Sequence, residues 1–174
     1  NANGGAGTAM ANEAFTYGTA TALTTNTYTR AGYTFLGWNT DKNATTATYT
    51  DKASVSDLTD VDGGTVTLYA IWKERGAVII AYKPSDTIMG DTQPTNESLQ
   101  PVTGIAAGST ATPKTGYHFV NWSNNKDTTS TTDAILSATQ VDAVAKASGI
   151  YEATTFTAHF AGNAYTVAFN ANGG

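Results

Sequence analysis

Short stretches in which large apolar side chains alternate with small or polar ones recur along the chain, separated by turns rich in Gly and Asn. A period of two residues is that of a β-strand with one buried face. The pattern predicts strands at residues 33–38, 66–72, 77–82, 117–122, 154–160 and 165–169. The sequence therefore favours an α+β protein that is mostly β.

Two sequence motifs are repeated at long spacing. NANGG stands at residues 1–5 and again at 170–174, and GYTFLGW at 32–38 has the counterpart GYHFVNW at 116–122. Such self-similarity is typical of tandem-repeat proteins. We interpret residues 1–73 as unit one, with a first strand expected before Asn1, residues 74–162 as unit two, and residues 163–174 as the first strand and turn of a third unit.

Helical periodicity is weak. Residues 54–58 have room for one helical turn, and residues 138–147 place Val141, Val144 and Ala145 on one side. Ser148 and Gly149 then form a stop signal. We expect each unit to be a sheet of four or five strands crossed by one short helix.

The large rings and their apolar strand neighbours are predicted to be structural core. Alternation puts them on one strand face, and burying such a side chain contributes about 2–3 kcal/mol. The predicted core residues are Tyr33, Phe35, Trp38, Leu68, Trp72, Tyr117, Phe119, Trp122, Phe156 and Phe160. The alternative for the tryptophans is an exposed row that stacks on sugar rings.

Composition narrows the possible partners. Hydrophobic residues make up 40% and charged residues 13%, with Thr, Ser, Asn and Gly in their place, which suits solvated strand faces. The net charge of −5 and the lack of a Lys/Arg cluster argue against nucleic acid and anionic membranes. No apolar run approaches the length of a membrane span, so membrane insertion is not expected either. Without cysteine, disulfides and thiolate metal sites are excluded.

The residues that could carry chemistry form no recognisable site. His118 and His159 lack a third ligand in sequence reach, so a metal pair is a weak hypothesis beside a solvated strand face. Residues 60–64 (DVDGG) resemble a calcium loop but lack its terminal Glu and read better as a turn. Residues 4–7 (GGAG) resemble a phosphate loop only in composition. We predict no catalytic, metal or cofactor site and no enzymatic activity.

The segment at residues 165–169 has a further property. Its apolar residues Tyr165, Val167 and Phe169 form a strand pattern with no domain expected behind it. Unit one, in turn, is expected to have an open sheet edge before Asn1. An open edge and a free strand favour strand addition between chains, so we expect head-to-tail self-association.

The motifs in this order resemble the Listeria–Bacteroides repeat, also called the internalin B B-repeat. The resemblance rests on NANGG, RAGYTFLGWN at residues 30–39 and LYAIW at residues 68–72. It covers nearly all of unit one, whereas unit two is more divergent and lacks Asn-Gly-Gly after its first strand. The resemblance implies β-grasp-like repeats of extracellular, often wall-anchored bacterial surface proteins, without enzymatic activity.

The function expected from this resemblance is that of a stalk. The repeats would project a distant binding domain of an adhesin-like protein, with neighbouring repeats as their main partners. Two alternatives remain open: repeats that themselves bind a host protein, glycan or mucin, and an appendage of an extracellular enzyme.

Overall fold

Two units divide the chain in the computed structural model, which describes residues 1–126, 131–170 and 172. They span Asn1–Arg75 and Gly76–Gly174. The sequence places the boundary after residue 73, two residues earlier. The segment expected to open a third unit is grouped with unit two.

Unit one is built from two antiparallel strand pairs. Its strands are β1 (Thr21–Ala22), β2 (Tyr33–Asn39), β3 (Ser54–Val55) and β4 (Tyr69–Glu74). β1 pairs with β3, and β2 pairs with β4. The signature strand predicted at residues 33–38 is confirmed and extends one residue further.

Two predictions for unit one are wrong in detail. The helical turn expected at residues 54–58 is replaced by β3, because Val55 is buried and pairs with Thr21. Residues 1–75 are all described and contain no helix. The closing strand, predicted from residue 66, begins only at Tyr69. Residues 66–68 join no strand in the described chain. Unit one thus lacks the predicted sheet of four or five strands.

Unit two contains the larger sheet. Its elements are β5 (Val78–Pro84), β6 (Gly90–Gln93), β7 (Asn96–Leu99), β8 (Gly108–Pro113), β9 (Tyr117–Asn124), β10 (Ile135–Ser137), α1 (Ala138–Ala145) and β11 (Thr154–Gly162). Four strands lie in the order β7-β5-β11-β9. β5 and β11 run parallel at its centre, and both outer pairs are antiparallel. The first and last strands of unit two therefore lie side by side, which is the β-grasp-like arrangement implied by the resemblance.

A second sheet in unit two, of order β10-β8-β6, was not foreseen. The sequence suggests only a long polar stretch after β5. Two polar residues of this sheet are buried, and their hydroxyls are hydrogen-bonded to backbone carbonyls. The Thr92 hydroxyl donates to the Tyr82 carbonyl at 3.0 Å, and the Ser109 hydroxyl donates to the Pro94 carbonyl at 2.8 Å. Hydrogen bonding offsets the cost of removing such groups from water.

Helix α1 confirms the prediction at residues 138–147 and ends two residues earlier. Its start is fixed by a capping box, in which the Ser137 hydroxyl accepts from the Gln140 amide and the Gln140 side chain accepts from the Ser137 amide. Val141, Val144 and Ala145 are buried. The described residues contain one short helix and are otherwise strand and loop, so the predicted mostly β fold class is confirmed.

Each unit has its own hydrophobic core. In unit one the buried members are Leu23, Tyr28, Trp38, Val55 and Ala70. In unit two they are Ile80, Tyr82, Leu99, Ala106, Ala111, Trp122, Leu136, Val141, Val144, Ala145, Tyr151, Phe156, Ala158 and Phe160. The shared feature is a buried tryptophan on the signature strand, Trp38 in unit one and Trp122 in unit two.

The strand predicted at residues 165–169 is not formed in the described chain. Tyr165, Val167 and Phe169 are 88%, 60% and 95% exposed. Three large apolar side chains on alternate positions therefore face solvent.

Candidate functional site

The signature strand has the same irregularity in both units. β2 bulges between Phe35 and Gly37, and β9 bulges where His159 and Phe160 of β11 face Asn121 and Phe119. A bulge inserts one unpaired residue and re-aims the side chains that follow it. The tryptophan after each bulge turns inward, so that Trp38 is 4% and Trp122 is 1% exposed.

Both tryptophans are held from two sides. Trp38 faces Ala70 of β4 and donates its backbone amide to the Tyr49 carbonyl at 2.7 Å. Trp122 faces Ala158 of β11 and makes the same bond to the Thr131 carbonyl at 2.8 Å. In each unit, a residue that follows the signature strand in the chain thus forms a β-bridge with its tryptophan.

Most residues predicted as core lie in or against the two clusters. Trp38, Trp122, Phe156 and Phe160 are buried members. Phe35, Leu68, Trp72 and Phe119 are half-buried and pack against them. Edge-to-face ring contacts, such as Phe35 on Trp38 at 5.1 Å between centroids, join them. These rings contribute packing and are not aligned on an exposed face.

Tyr33 and Tyr117, which begin the two signature strands, depart from the prediction. Each is half-buried and belongs to neither described cluster. The Arg30 guanidinium lies over the Tyr33 ring at 3.9 Å. Each tyrosine is the first residue of its strand, and the core ends at this margin of the sheet. Its ring is therefore only half-buried.

The NANGG turn of unit one is a structural element. Asn3 adopts a φ of +46° and donates its side-chain amide to the carbonyls of Ala70 and Lys42. The Trp72 indole donates to the Ala2 carbonyl at 2.9 Å, and a Cβ on Gly5 would lie 2.7 Å from that ring. Residues 4–7 thus fold against the core in place of forming a phosphate loop.

The histidines have separate partners. His118 Nδ1 lies 3.0 Å from Asn163 Oδ1, and His159 Nε2 lies 2.8 Å from the Ser123 hydroxyl. Within residues 1–126, 131–170 and 172, no group of three or more His, Asp or Glu side chains is placed to hold a metal ion. Residues 60–64 form a turn closed by the Gly64 amide on the Val61 carbonyl at 2.9 Å.

A buried polar network in unit two had no clear sequence signal. The Tyr82 hydroxyl donates to the Glu97 carboxylate, which also accepts from the Ala107 and Gly108 amides at 2.7 and 3.0 Å. Burial, and next the bond to Glu97, raises the pKa of Tyr82 well above its ordinary value of about 10. The phenol is therefore kept neutral and serves as a donor.

A second phenol is bound in the same way. Tyr151 donates its hydroxyl to Asp142 of α1 and accepts the Ala106 amide at 3.1 Å. Burial, and next the bond to Asp142, raises the pKa of Tyr151. Both networks join separate elements of the fold.

Unit one contains a cavity of about 340 Å³. Its apolar lining comes from Met10, Phe15, Leu23, Trp38, Val55, Leu58 and Leu68. Residues 64–68 and Asn1 also line the cavity. The volume falls in the range of small-ligand pockets, and the lining also includes polar residues that could orient a ligand, among them Asn12, Glu13, Thr24 and Ser56. This cavity is the candidate binding site of the chain.

Comparison with protein families gives two matches. Residues 1–71 match the Listeria-Bacteroides repeat domain, and residues 87–164 match the divergent InlB B-repeat domain. The chain belongs to the Listeria–Bacteroides repeat family. Its two units are repeat domains of the kind found in bacterial surface proteins, and such repeats are generally non-catalytic.

Other comparisons add nothing to this assignment. No curated protein and no solved structure matches this pair of Listeria–Bacteroides repeats. In the part of the chain that the structure describes, no helix is long and apolar enough to cross a membrane.

Proposed function

We propose that these two repeats are a non-catalytic spacer in an extracellular, cell-wall-anchored bacterial adhesin-like protein, and that they hold a binding domain away from the cell. The observation that carries this proposal is the inward orientation of Trp38 and Trp122 at equivalent bulges. Rings that fill a core support a folded unit, and neither tryptophan lies in an exposed aromatic row.

The composition of the surface supports the same role. Charged residues are only 13% of the chain, and strand faces carry Thr and Ser. Two described ion pairs, Lys114–Asp91 and Lys126–Glu152, lie on exposed positions of unit two and stabilise it little. Such a surface keeps a repeat soluble without directing it to a charged partner.

A swap experiment tests the spacer role. In a surface protein that contains the repeats, replacing residues 1–162 with an unrelated β-repeat segment of equal length should preserve ligand capture by the distal domain. Deleting the same residues should reduce capture. Loss of capture in the equal-length swap would refute a pure spacer.

The cavity of unit one favours a second candidate, a repeat that binds a host protein, glycan or mucin. Its lining combines apolar side chains with polar ones such as Asn12, Glu13 and Ser56, which could hydrogen-bond a ligand. A glycan array probed with the intact chain distinguishes the two. Binding that is lost in Leu23→Ala, whose side chain lines the cavity, and kept in Ile105→Ala on an exposed face of unit two would favour the module.

A further inference from the structure

Unit two contains a smaller cavity, which the spacer role does not use. Its volume is about 260 Å³, and its apolar walls come from Trp122 of β9, Leu136 of β10, Val144 of α1 and Phe156 of β11. These four side chains are only 1–4% exposed, so the cavity borders the hydrophobic core itself. Residues 1–75 contain no helix, so unit one has no counterpart of the wall formed by α1.

The walls of this cavity are held in place by contacts within the unit. The Trp122 indole donates to the Ala134 carbonyl at 3.2 Å. The rings of Trp122 and Phe156 both pack on Tyr82, with centroids 6.3 and 5.8 Å away, and the Tyr82 hydroxyl is in turn bonded to Glu97. A ligand that enters a preformed site of this kind loses little affinity to reorganisation of the protein.

The lining of the cavity carries no charge. Its other members among the described residues are Ser123, Thr131, Gln140 and Ala143, so that no acidic or basic side chain lines it there. A charged group buried here would lose its hydration without gaining a partner of opposite sign, which is strongly unfavourable. The cavity therefore selects uncharged molecules.

Gln140 supplies one oriented hydrogen-bond donor. Its side-chain oxygen accepts from the Ser137 amide and from the Ser137 hydroxyl, both at 2.8 Å, at the capping box of α1. Because this oxygen is held by the cap, the group that Gln140 can offer to a ligand is its side-chain N–H. A ligand with one acceptor oxygen matches that donor.

The other two polar side chains already have partners. The Ser123 hydroxyl lies 2.8 Å from His159 Nε2, and the Thr131 hydroxyl accepts from the Asp133 amide at 3.2 Å. A sugar carries several hydroxyl groups, and most of them would be left without a hydrogen-bond partner in this cavity. The lining therefore favours a largely apolar ligand over a sugar.

The size of the cavity narrows the class of ligand further. A cavity of about 150 Å³ lined by apolar side chains is large enough to bind benzene. At about 260 Å³, the cavity of unit two has room for one aromatic ring with a short substituent. Two of its walls are themselves aromatic, and aromatic rings attract each other in offset or edge-to-face geometry.

We propose that the cavity of unit two binds a small uncharged aromatic molecule that carries one hydrogen-bond acceptor. The ring of the ligand lies against Trp122 and Phe156, and its acceptor takes the Gln140 side-chain N–H. Since such a ligand has few atoms, its dissociation constant is expected on the order of 1 mM. This site does not depend on the spacer role of the repeats.

Amide NMR of the intact, isotope-labelled chain tests the proposal with acetophenone, a neutral ring that carries one carbonyl. Acetophenone should shift the amide resonances of Leu136 and Val144 in a saturable way. Benzoate, which has nearly the same shape and a negative charge, should leave both resonances unchanged at the same concentration. Absence of saturable shifts at these amides with acetophenone, or equal shifts with benzoate, would overturn the proposal.

A block at the mouth of the cavity locates the ligand. Ala143 is exposed and lines the cavity, so Ala143→Leu should fill the entrance, preserve the fold and abolish the shifts. Ala147→Leu is the matched control, because it makes the same substitution at an exposed residue outside the described lining and should leave binding unchanged. Shifts that persist in Ala143→Leu would place acetophenone elsewhere and would refute the assignment of the site.

Gln140→Glu tests the hydrogen bond without removing the cap. Glu at this position forms the same capping box, but its carboxylate offers no N–H and brings a charge to the cavity. Acetophenone should then bind about tenfold more weakly, which corresponds to the loss of about one hydrogen bond. Unchanged affinity in Gln140→Glu would refute the role of Gln140, and with it the acceptor group of the proposed ligand.

Discussion

Trp122 donates its indole N–H to the backbone carbonyl of Ala134 at 3.2 Å. This bond ties the signature strand of unit two to the segment that leads into β10. Trp38 has the equivalent place in unit one, but its indole nitrogen is buried without a hydrogen-bond partner among the described residues. A buried unpaired donor costs about 1–3 kcal/mol, so the two tryptophans stabilise their units unequally.

Replacement of the two tryptophans should show this difference. Trp122→Ala should lower the free energy of unfolding of unit two by about 3–5 kcal/mol, since it removes a packed ring and a bond. Trp38→Ala should cost unit one less, because its ring borders a cavity and has no indole bond. Hydrogen exchange with mass spectrometry, followed for peptides of each unit in the intact chain, measures both changes. Equal losses in the two units would contradict this account.

The sequence predicted both signature strands, the closing strands and α1, and it missed several strands of each unit. The strands follow from alternation within short windows, and α1 follows from the spacing of Val141, Val144 and Ala145 with a stop signal after them. β6, β7 and β8 were missed because their buried residues include Thr92 and Ser109, whose burial depends on backbone partners distant in the chain. Residues 54–58 show the reverse error: Val55 is held by pairing with Thr21, which local propensity cannot reveal.

The candidate site was the least predictable part. The cavity exists because no side chain fills the space beside Trp38 and Leu68. No residue pattern in the sequence predicts such unfilled space. The strand pattern at residues 165–169 is visible in the sequence. Its correspondence to β5 required the strand registers, and the exposure of its side chains required the structure. The Tyr82–Glu97 bond was also hidden, since Glu97 lies in a polar segment with no strand alternation.

Two glycines have nearly the same backbone conformation but different surroundings. Substituting each of them distinguishes conformational strain from steric crowding. Gly108 and Gly116 have φ values of +90° and +88°. A Cβ at Gly108 would lie 1.9 Å from the Leu136 carbonyl oxygen, whereas a Cβ at Gly116 would meet nothing within 4 Å. Gly116→Ala should cost about 1–2 kcal/mol of conformational strain, and Gly108→Ala at least about 2 kcal/mol more, because β8 and β10 must separate. Urea unfolding of both variants measures the difference, and similar midpoints would refute the crowding.

The raised pKa of Tyr82 predicts a loss of stability at alkaline pH. The unfolded chain releases this proton near pH 10, whereas the folded chain retains it to higher pH. The contribution is thus fully present below about pH 10 and declines as pH rises above it, by up to about 1.4 kcal/mol per pH unit. Tyr82→Phe should show a shallower decline and leaves Glu97 bonded to the Ala107 and Gly108 amides. Denaturation between pH 9 and 11 measures both slopes; identical slopes would remove Tyr82 as the cause.

Filling the cavity of unit one should stabilise it. The alignment through Trp38 and Trp122 places Leu68 where unit two has Phe156, a ring that is 2% exposed. Leu68→Phe should therefore raise the free energy of unfolding of unit one by about 0.5–2 kcal/mol, in the usual range for cavity-filling changes. Leu36→Phe is the matched control: the same substitution on the same unit, at the bulge where the side chain is 37% exposed, should change little. Exchange rates of unit-one amides report both effects. A destabilised Leu68→Phe chain would mean that the cavity wall cannot accept a ring.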